Sequence, residues 1–165
     1  NKRYEERAAD ILKRFLTDYD DYEINECAQL AYDWFDNARR APIAIFKDSN
    51  NPESRVMNII ELWHGPTSAF KDMALQMLPH LMRIALKKTG ETKDILILVA
   101  TSGDTGKAAL AGFADVPQTK IMVFYPDGGV SKVQRFQMAT QVGQNVNVTA
   151  VNGNFDDCQN GVKKI

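Results

Sequence analysis

Ile95-Leu96-Ile97-Leu98-Val99-Ala100-Thr101-Ser102-Gly103-Asp104-Thr105-Gly106 is the stretch on which the fold turns. Its first six residues are apolar without interruption, the pattern of a strand buried on both faces. A glycine-punctuated turn follows, then a helix to about Ala114 whose Ala108, Ala109 and Ala111 are small enough to lie close on a sheet. The alternation then repeats. A strand is predicted over residues 121–125, a helix through Val133, Phe136, Ala139 and Val142, and a strand over residues 146–151. A last helix carries Phe155, Cys158, Val162 and Ile165 on one side, with Asn154 as its cap and Asp157 placed as in a capping box. Strands and helices alternating through short loops imply a parallel, right-handed β/α sheet.

The loop over residues 102–106 joins the carboxyl end of a strand to a helix N-terminus, where backbone N–H groups and the helix dipole favour a bound anion. It is neither a P-loop, since Thr101 stands where the first glycine belongs, nor a dinucleotide fingerprint, whose first two glycines are separated by one residue.

Upstream, residues 61–76 carry the other chemistry. Ile59, Ile60, Leu62 and Trp63 predict a short buried strand, His64-Gly65-Pro66 a turn, and Met73, Leu75, Met77, Leu78, Leu81, Met82 and Leu86 a helix stopping at Gly90 and kinked at Pro79. Lys71 falls in that helix's first turn, with Thr67 or Ser68 available as cap. The positive end of the dipole there favours the neutral amine, the form that attacks an aldehyde. A lone lysine is ordinarily a solvated side chain; its neighbourhood sets this one apart. Earlier still, two amphipathic helices are predicted, one with Ala8, Ile11, Leu12 and Phe15, the other with Ile24, Cys27, Ala28, Ala31, Trp34 and Phe35. The acidic link Asp18-Asp20-Asp21 suits the second helix's N-terminus. A short strand over residues 43–46 and a turn at Ser49-Asn50-Asn51-Pro52 complete the lead-in.

A net charge of −1 provides no electrostatic case for nucleic acid or an anionic membrane, and the longest apolar run is too short to span a bilayer. No signal peptide is expected, and Cys27 and Cys158 lack metal-ligand spacing, so no metal is expected and a reducing, cytoplasmic setting fits. Nothing indicates an oligomeric state. The chain begins at Asn1 and stops within a helical pattern at Ile165, so it reads as a fragment.

His64-Gly65-Pro66-Thr67-Ser68-Ala69-Phe70-Lys71-Asp72 resembles the pyridoxal-phosphate lysine motif of threonine synthases. Ala100-Thr101-Ser102-Gly103-Asp104-Thr105-Gly106 resembles a second motif of that family, and Gly153-Asn154-Phe155-Asp156-Asp157-Cys158-Gln159 a third, in the same order. The resemblance covers residues 20–165. It implies fold type II, the tryptophan-synthase-β-like fold, in partial form. Residues 1–63 would be a helical lead-in belonging to a larger N-terminal domain, 64–90 the cofactor-lysine segment, and 91–165 an incomplete parallel α/β small domain. The cofactor implied is pyridoxal 5'-phosphate, the catalytic residue Lys71. Asp104 and Gly103 would lie against the cofactor ring. Ser102, Thr105, Thr101 and His64 are implied as substrate-binding, although His64 reads at least as well as a turn-orienting residue. The reaction implied is the last step of threonine biosynthesis, from O-phospho-L-homoserine and water to L-threonine and phosphate. The alternatives are a related phospholyase acting on another phosphorylated amino acid, or a fragment with no activity of its own. Clusters for the cofactor phosphate and the substrate phosphate are expected beyond Ile165, so residues 1–165 alone are expected to bind cofactor weakly.

Overall fold

A computed structural model describes residues 2–51, 53 and 55–165. The chain forms two compact units, Asn1–Phe70 and Lys71–Ile165.

In the first unit, α1 (Tyr4–Leu12) packs on α2 (Asp21–Tyr32). Asp20 caps α2 through a reciprocal pair: its carboxylate accepts from Glu23 N–H at 2.8 Å, and the Glu23 carboxylate accepts from Asp20 N–H at 2.9 Å. The acidic link therefore works as a cap, as its charge suggests. Ala9, Ile24, Cys27, Ala28 and Ala31 form the buried seam. Tyr4, Tyr32 and Phe35 stack edge-to-face, with centroids 5.0 and 5.4 Å apart. Arg40 closes this end, donating to buried Glu5 through Nε at 2.8 Å and to the Phe35 carbonyl through Nη1 at 3.1 Å. Both helices are shorter than their periodicity predicts. Ile11 is exposed in the last turn of α1, and Phe15 and Trp34 lie past the helix ends, Trp34 81% exposed; Phe35, just beyond α2, turns inward and is 5% exposed.

The remaining strands of this unit, β1 (Ile43–Phe46) and β2 (Met57–Ile60), make an antiparallel ribbon in which Ile43 faces Ile60. The strand expected at residues 59–63 thus starts earlier and is not buried: all four residues of β2 are exposed, Ile60 by 58%. A two-stranded ribbon has no neighbouring layer of its own to cover it. At the turn predicted at residues 49–52, Asp48 accepts from Asn50 N–H at 2.8 Å, while Pro52 lies outside the described residues.

The second unit opens with α3 (Asp72–Leu75) and α4 (Leu78–Thr89), followed by β3 (Ile95–Ala100), α5 (Asp104–Phe113), β4 (Thr119–Pro126), α6 (Lys132–Ala139), β5 (Val146–Val151) and α7 (Phe155–Lys164). The sheet is parallel with order β3-β4-β5. β4, in the middle, is the most buried strand, and Ile121, Val123 and Tyr125 form the core with Ala109, Leu110 and Phe113 of α5 and Met138 of α6. The continuous apolar run is β3, which among the described residues pairs with β4 alone and is half-buried, with Leu96 exposed. An unbroken apolar run therefore marked an outer strand, because strand order, not hydropathy, decides which strand has two neighbours.

Pro79 does not kink a long helix. The helix is interrupted at Gln76–Met77, and Pro79 sits in the first turn of α4, where the missing N–H would have no helical acceptor. In α6, Val133 and Phe136 are exposed; the inward stripe is Gln134 and Met138, one turn apart. Val142 lies past the helix end and Ile165 is exposed. The capping box at Asn154 and Asp157 forms as expected, with bonds of 2.8 and 3.0 Å.

Candidate functional site

Lys71 stands at the N-cap position of α3, a helix of one turn, with helical backbone angles and no cap from its own side chain. The expected long-helix dipole is thus reduced to a single turn. What holds this turn is packing on α5. A Cβ on Gly112 would stand 2.3 Å from the Leu75 carbonyl oxygen, so only glycine admits α3 so close. The Gln76 amide reaches the Ala108 carbonyl at 3.5 Å and the Asp72 carboxylate at 3.4 Å. Asp72 is wholly buried, and it attracts the charged Lys107 amine, opposing the burial that lowers that amine's pKa.

The N-terminus of the same helix α5 carries the second set of residues. Thr101 continues the β-ladder, its N–H donating to the Phe124 carbonyl at 2.9 Å. Its side chain, 1% exposed, organises the loop: Oγ1 accepts from Gly103 N–H and Gly106 N–H, each at 2.9 Å, and donates to the Gly103 carbonyl at 3.2 Å. Thr101 is therefore committed to the loop and its hydroxyl is not offered to a ligand. Gly103 adopts φ 144°, a conformation that side chains rarely take. Gly106 brings α5 onto the sheet, since a Cβ there would meet Thr101 Cγ2 at 2.5 Å and Val123 Cγ1 at 2.9 Å. These constraints leave Ser102 exposed and Thr105 half-buried at the start of α5. Neither hydroxyl has a hydrogen-bond partner among the described residues. Asp104, also exposed, accepts from Gln134 Nε2 at 2.8 Å. The Lys71 turn and the loop thus share one support, α5.

His64 belongs to the first unit, and both its nitrogens are taken. Nδ1 lies 2.6 Å from Asp36 Oδ1 and Nε2 2.7 Å from Glu61 Oε2. Glu61 first, then Asp36, raises its pKa. With both ring nitrogens engaged by carboxylates, His64 fits the turn-orienting role. Among the described residues no group of His, Cys, Asp and Glu could hold a metal. The contributions of Gln134, Lys107 and Gly112 escaped the motif reading, and Asp72 stood inside the lysine motif with no role read for it. Only Gln134 carried a signal, the Ser131-x-x-Gln134 spacing of a capping box, and that predicts a cap rather than a contact with the loop.

No protein-family model matches the chain. A threonine synthase from Schizosaccharomyces pombe is 34% identical over 173 residues, covering 100% of this chain and 32% of that protein. One from Pseudomonas aeruginosa is 50% identical over 105 residues, 64% of this chain and 22% of its own length. The crystal structure of a PLP-bound threonine synthase from Brucella melitensis superposes with a TM-score of 0.84 at 37% identity, covering 99% of this chain and 34% of that one. The chain spans about a third of the length of the relatives it matches end to end. With a Lys71 turn and a Thr101–Gly106 loop built on one helix, and with this similarity along its whole length, the chain belongs to the threonine synthase family and carries part of fold type II.

Proposed function

We propose that the chain is the lysine-bearing part of a threonine synthase, which converts O-phospho-L-homoserine and water to L-threonine and phosphate with pyridoxal 5'-phosphate as cofactor. The observation that carries the reading is the shared support: the Lys71 turn is wedged on α5 through Gly112 and Ala108, and the open loop is the N-terminus of that helix. The residues present suit part of the cofactor: a lysine amine suits its aldehyde, and an exposed, tethered Asp104 suits its ring hydroxyl. When bound, pyridoxal phosphate supplies an electron sink for carbanions formed on the substrate.

In this reading Lys71 is the catalytic residue. Its Nζ would hold the cofactor and, as a free amine, would carry protons to and from substrate carbon. Ser102 and Thr105 donate their hydroxyls to the substrate carboxylate, aided by the N-terminus of α5. Thr101 and Gly103 hold the loop's shape and Asp104 faces the ring. His64, both nitrogens occupied, orients its turn instead of touching substrate. The division into a lead-in over 1–63, a lysine segment over 64–90 and a sheet region over 91–165 belongs to the same reading. So does a cytoplasmic setting, supported by two cysteines that stay buried as thiols.

The test uses the full-length protein. Borohydride reduction with bound cofactor, followed by peptide mapping, should place the pyridoxyl group on Lys71, and Lys71→Ala should abolish phosphate release from phosphohomoserine. Label on another lysine would overturn the assignment. Release only from a different phosphorylated amino acid would replace the substrate while keeping the site.

A further inference from the structure

Gln134 occupies an inward position of α6, in the same stripe as buried Met138, where helix periodicity calls for an apolar residue. Its amide is used at both ends. Oε1 accepts from the Ser131 backbone N–H at 3.1 Å, while the Gln134 N–H donates to Ser131 Oγ at 3.2 Å. Nε2 donates to Asp104 Oδ1 at 2.8 Å, across 30 residues of chain. The two ends fix the amide's orientation, since only the oxygen can serve Ser131 N–H and only the nitrogen can serve a carboxylate. The same amide fills the space a side chain on Gly103 would need, 2.4–2.6 Å from the position of its Cβ.

We propose that Gln134 is a positioning residue for the cofactor site: braced by the cap of α6, it holds the Asp104 carboxylate in one orientation against the ring and leaves Oδ2 for the ligand. This rests on the proposed function, in which Asp104 faces the cofactor ring hydroxyl. Without a tether an exposed aspartate samples several rotamers and would have to be ordered when the cofactor binds. The capped amide does that ordering in advance, and glycine at position 103 is what makes room for it.

The capping and tethering roles can be separated. Gln134→Glu keeps an acceptor for Ser131 N–H, and glutamate suits the third helical position, but it sets a carboxylate against Asp104. In the full-length protein with bound cofactor, this variant should melt within about 2 °C of the parent. Its kcat/KM should fall about tenfold, the scale of one lost hydrogen bond to a charged group. The pH midpoint of the cofactor's visible absorption band should shift, which a loss of cap alone would not cause. In an Asp104→Asn background, Gln134→Glu can accept from the asparagine amide instead, so its effect on both readouts should shrink to less than about threefold in rate and to no shift in midpoint. Gln134→Ala, losing cap and tether, should show the band shift and a lower melting temperature. An unshifted band in Gln134→Glu, or equal losses from Gln134→Glu with and without Asp104→Asn, would overturn the proposal. If the parent protein itself forms no cofactor band on Lys71, the proposed function fails first, and the two failures are told apart.

Discussion

The loop at Thr101–Gly106 and the turn at His64 are both dense in polar residues, yet they differ in which groups are spoken for. In the loop one buried hydroxyl, that of Thr101, satisfies two backbone N–H groups and a carbonyl, and Ser102 and Thr105 beside it keep their hydroxyls open. At His64 the conspicuous side chain itself is consumed, each nitrogen against a carboxylate. Residue type alone therefore does not say which polar groups stay open to a ligand; the hydrogen bonds they already make do.

The largest effect that would break this contrast is at Thr101. Thr101→Val keeps the shape but strands the Gly103 and Gly106 N–H groups, at about 1–3 kcal/mol for each buried donor left unpaired. Chemical denaturation should show a loss of at least about 2 kcal/mol; a loss below about 0.5 kcal/mol would mean that the hydroxyl does not hold the loop.

Gly112→Ala places a methyl against the Leu75 carbonyl. Overpacking of this kind costs about 1–3 kcal/mol, and displacement of the Lys71 turn should weaken cofactor binding along with stability. Unchanged cofactor affinity, measured by titration of the full-length protein, would detach the Lys71 turn from α5.

Ser102→Ala sharpens the contrast from the other side. Stability should change by less than about 0.5 kcal/mol, as at an ordinary surface position. Substrate affinity should fall roughly ten- to a hundredfold, for a lost hydrogen bond to a charged group worth about 1.5–3 kcal/mol, while cofactor affinity holds. Equal losses of both would make the loop merely structural.

The smallest effect is at His64. Its folded pKa lies above the ordinary 6.5, through Glu61 first and then Asp36. A raised folded value stabilises the protein fully below about pH 6.5 and loses that contribution as pH climbs through the folded value. His64→Gln should flatten this part of the stability profile. An NMR titration, with His80 the one other histidine in the sequence, should give a His64 midpoint above 6.5; one at or below it would remove the two-carboxylate clamp.

Much of this architecture was legible without coordinates. The alternation from Ile95 onward predicted the parallel sheet, and strand β5 appears where its pattern placed it, because a strand's period is local to the strand. The cap at Asn154 was readable for the same reason, donor and acceptor lying three residues apart, whereas at Asp20 only the acidic charge at the start of the helix was read. The lysine and the glycine loop were visible as motifs, but the means of holding them was not. The Lys71 helix proved to be a single turn fixed by packing, an outcome that periodicity across Met73 to Leu86 concealed.

By itself, then, the sequence determined most of the strands and helices after Ile95 and the cap at Asn154, which rest on spacing within a few positions, and its motifs carried the resemblance to the family. Only the tertiary structure decided that β4 and not β3 is central, that His64 is saturated, that Gln76 ties the Lys71 turn to α5, and that Gln134 reaches Asp104. Those outcomes depend on partners 28 to 32 residues apart or on strand order. Packing brings such groups together after the local choices are made, and a hydrogen bond then either uses a polar group or leaves it open for a ligand.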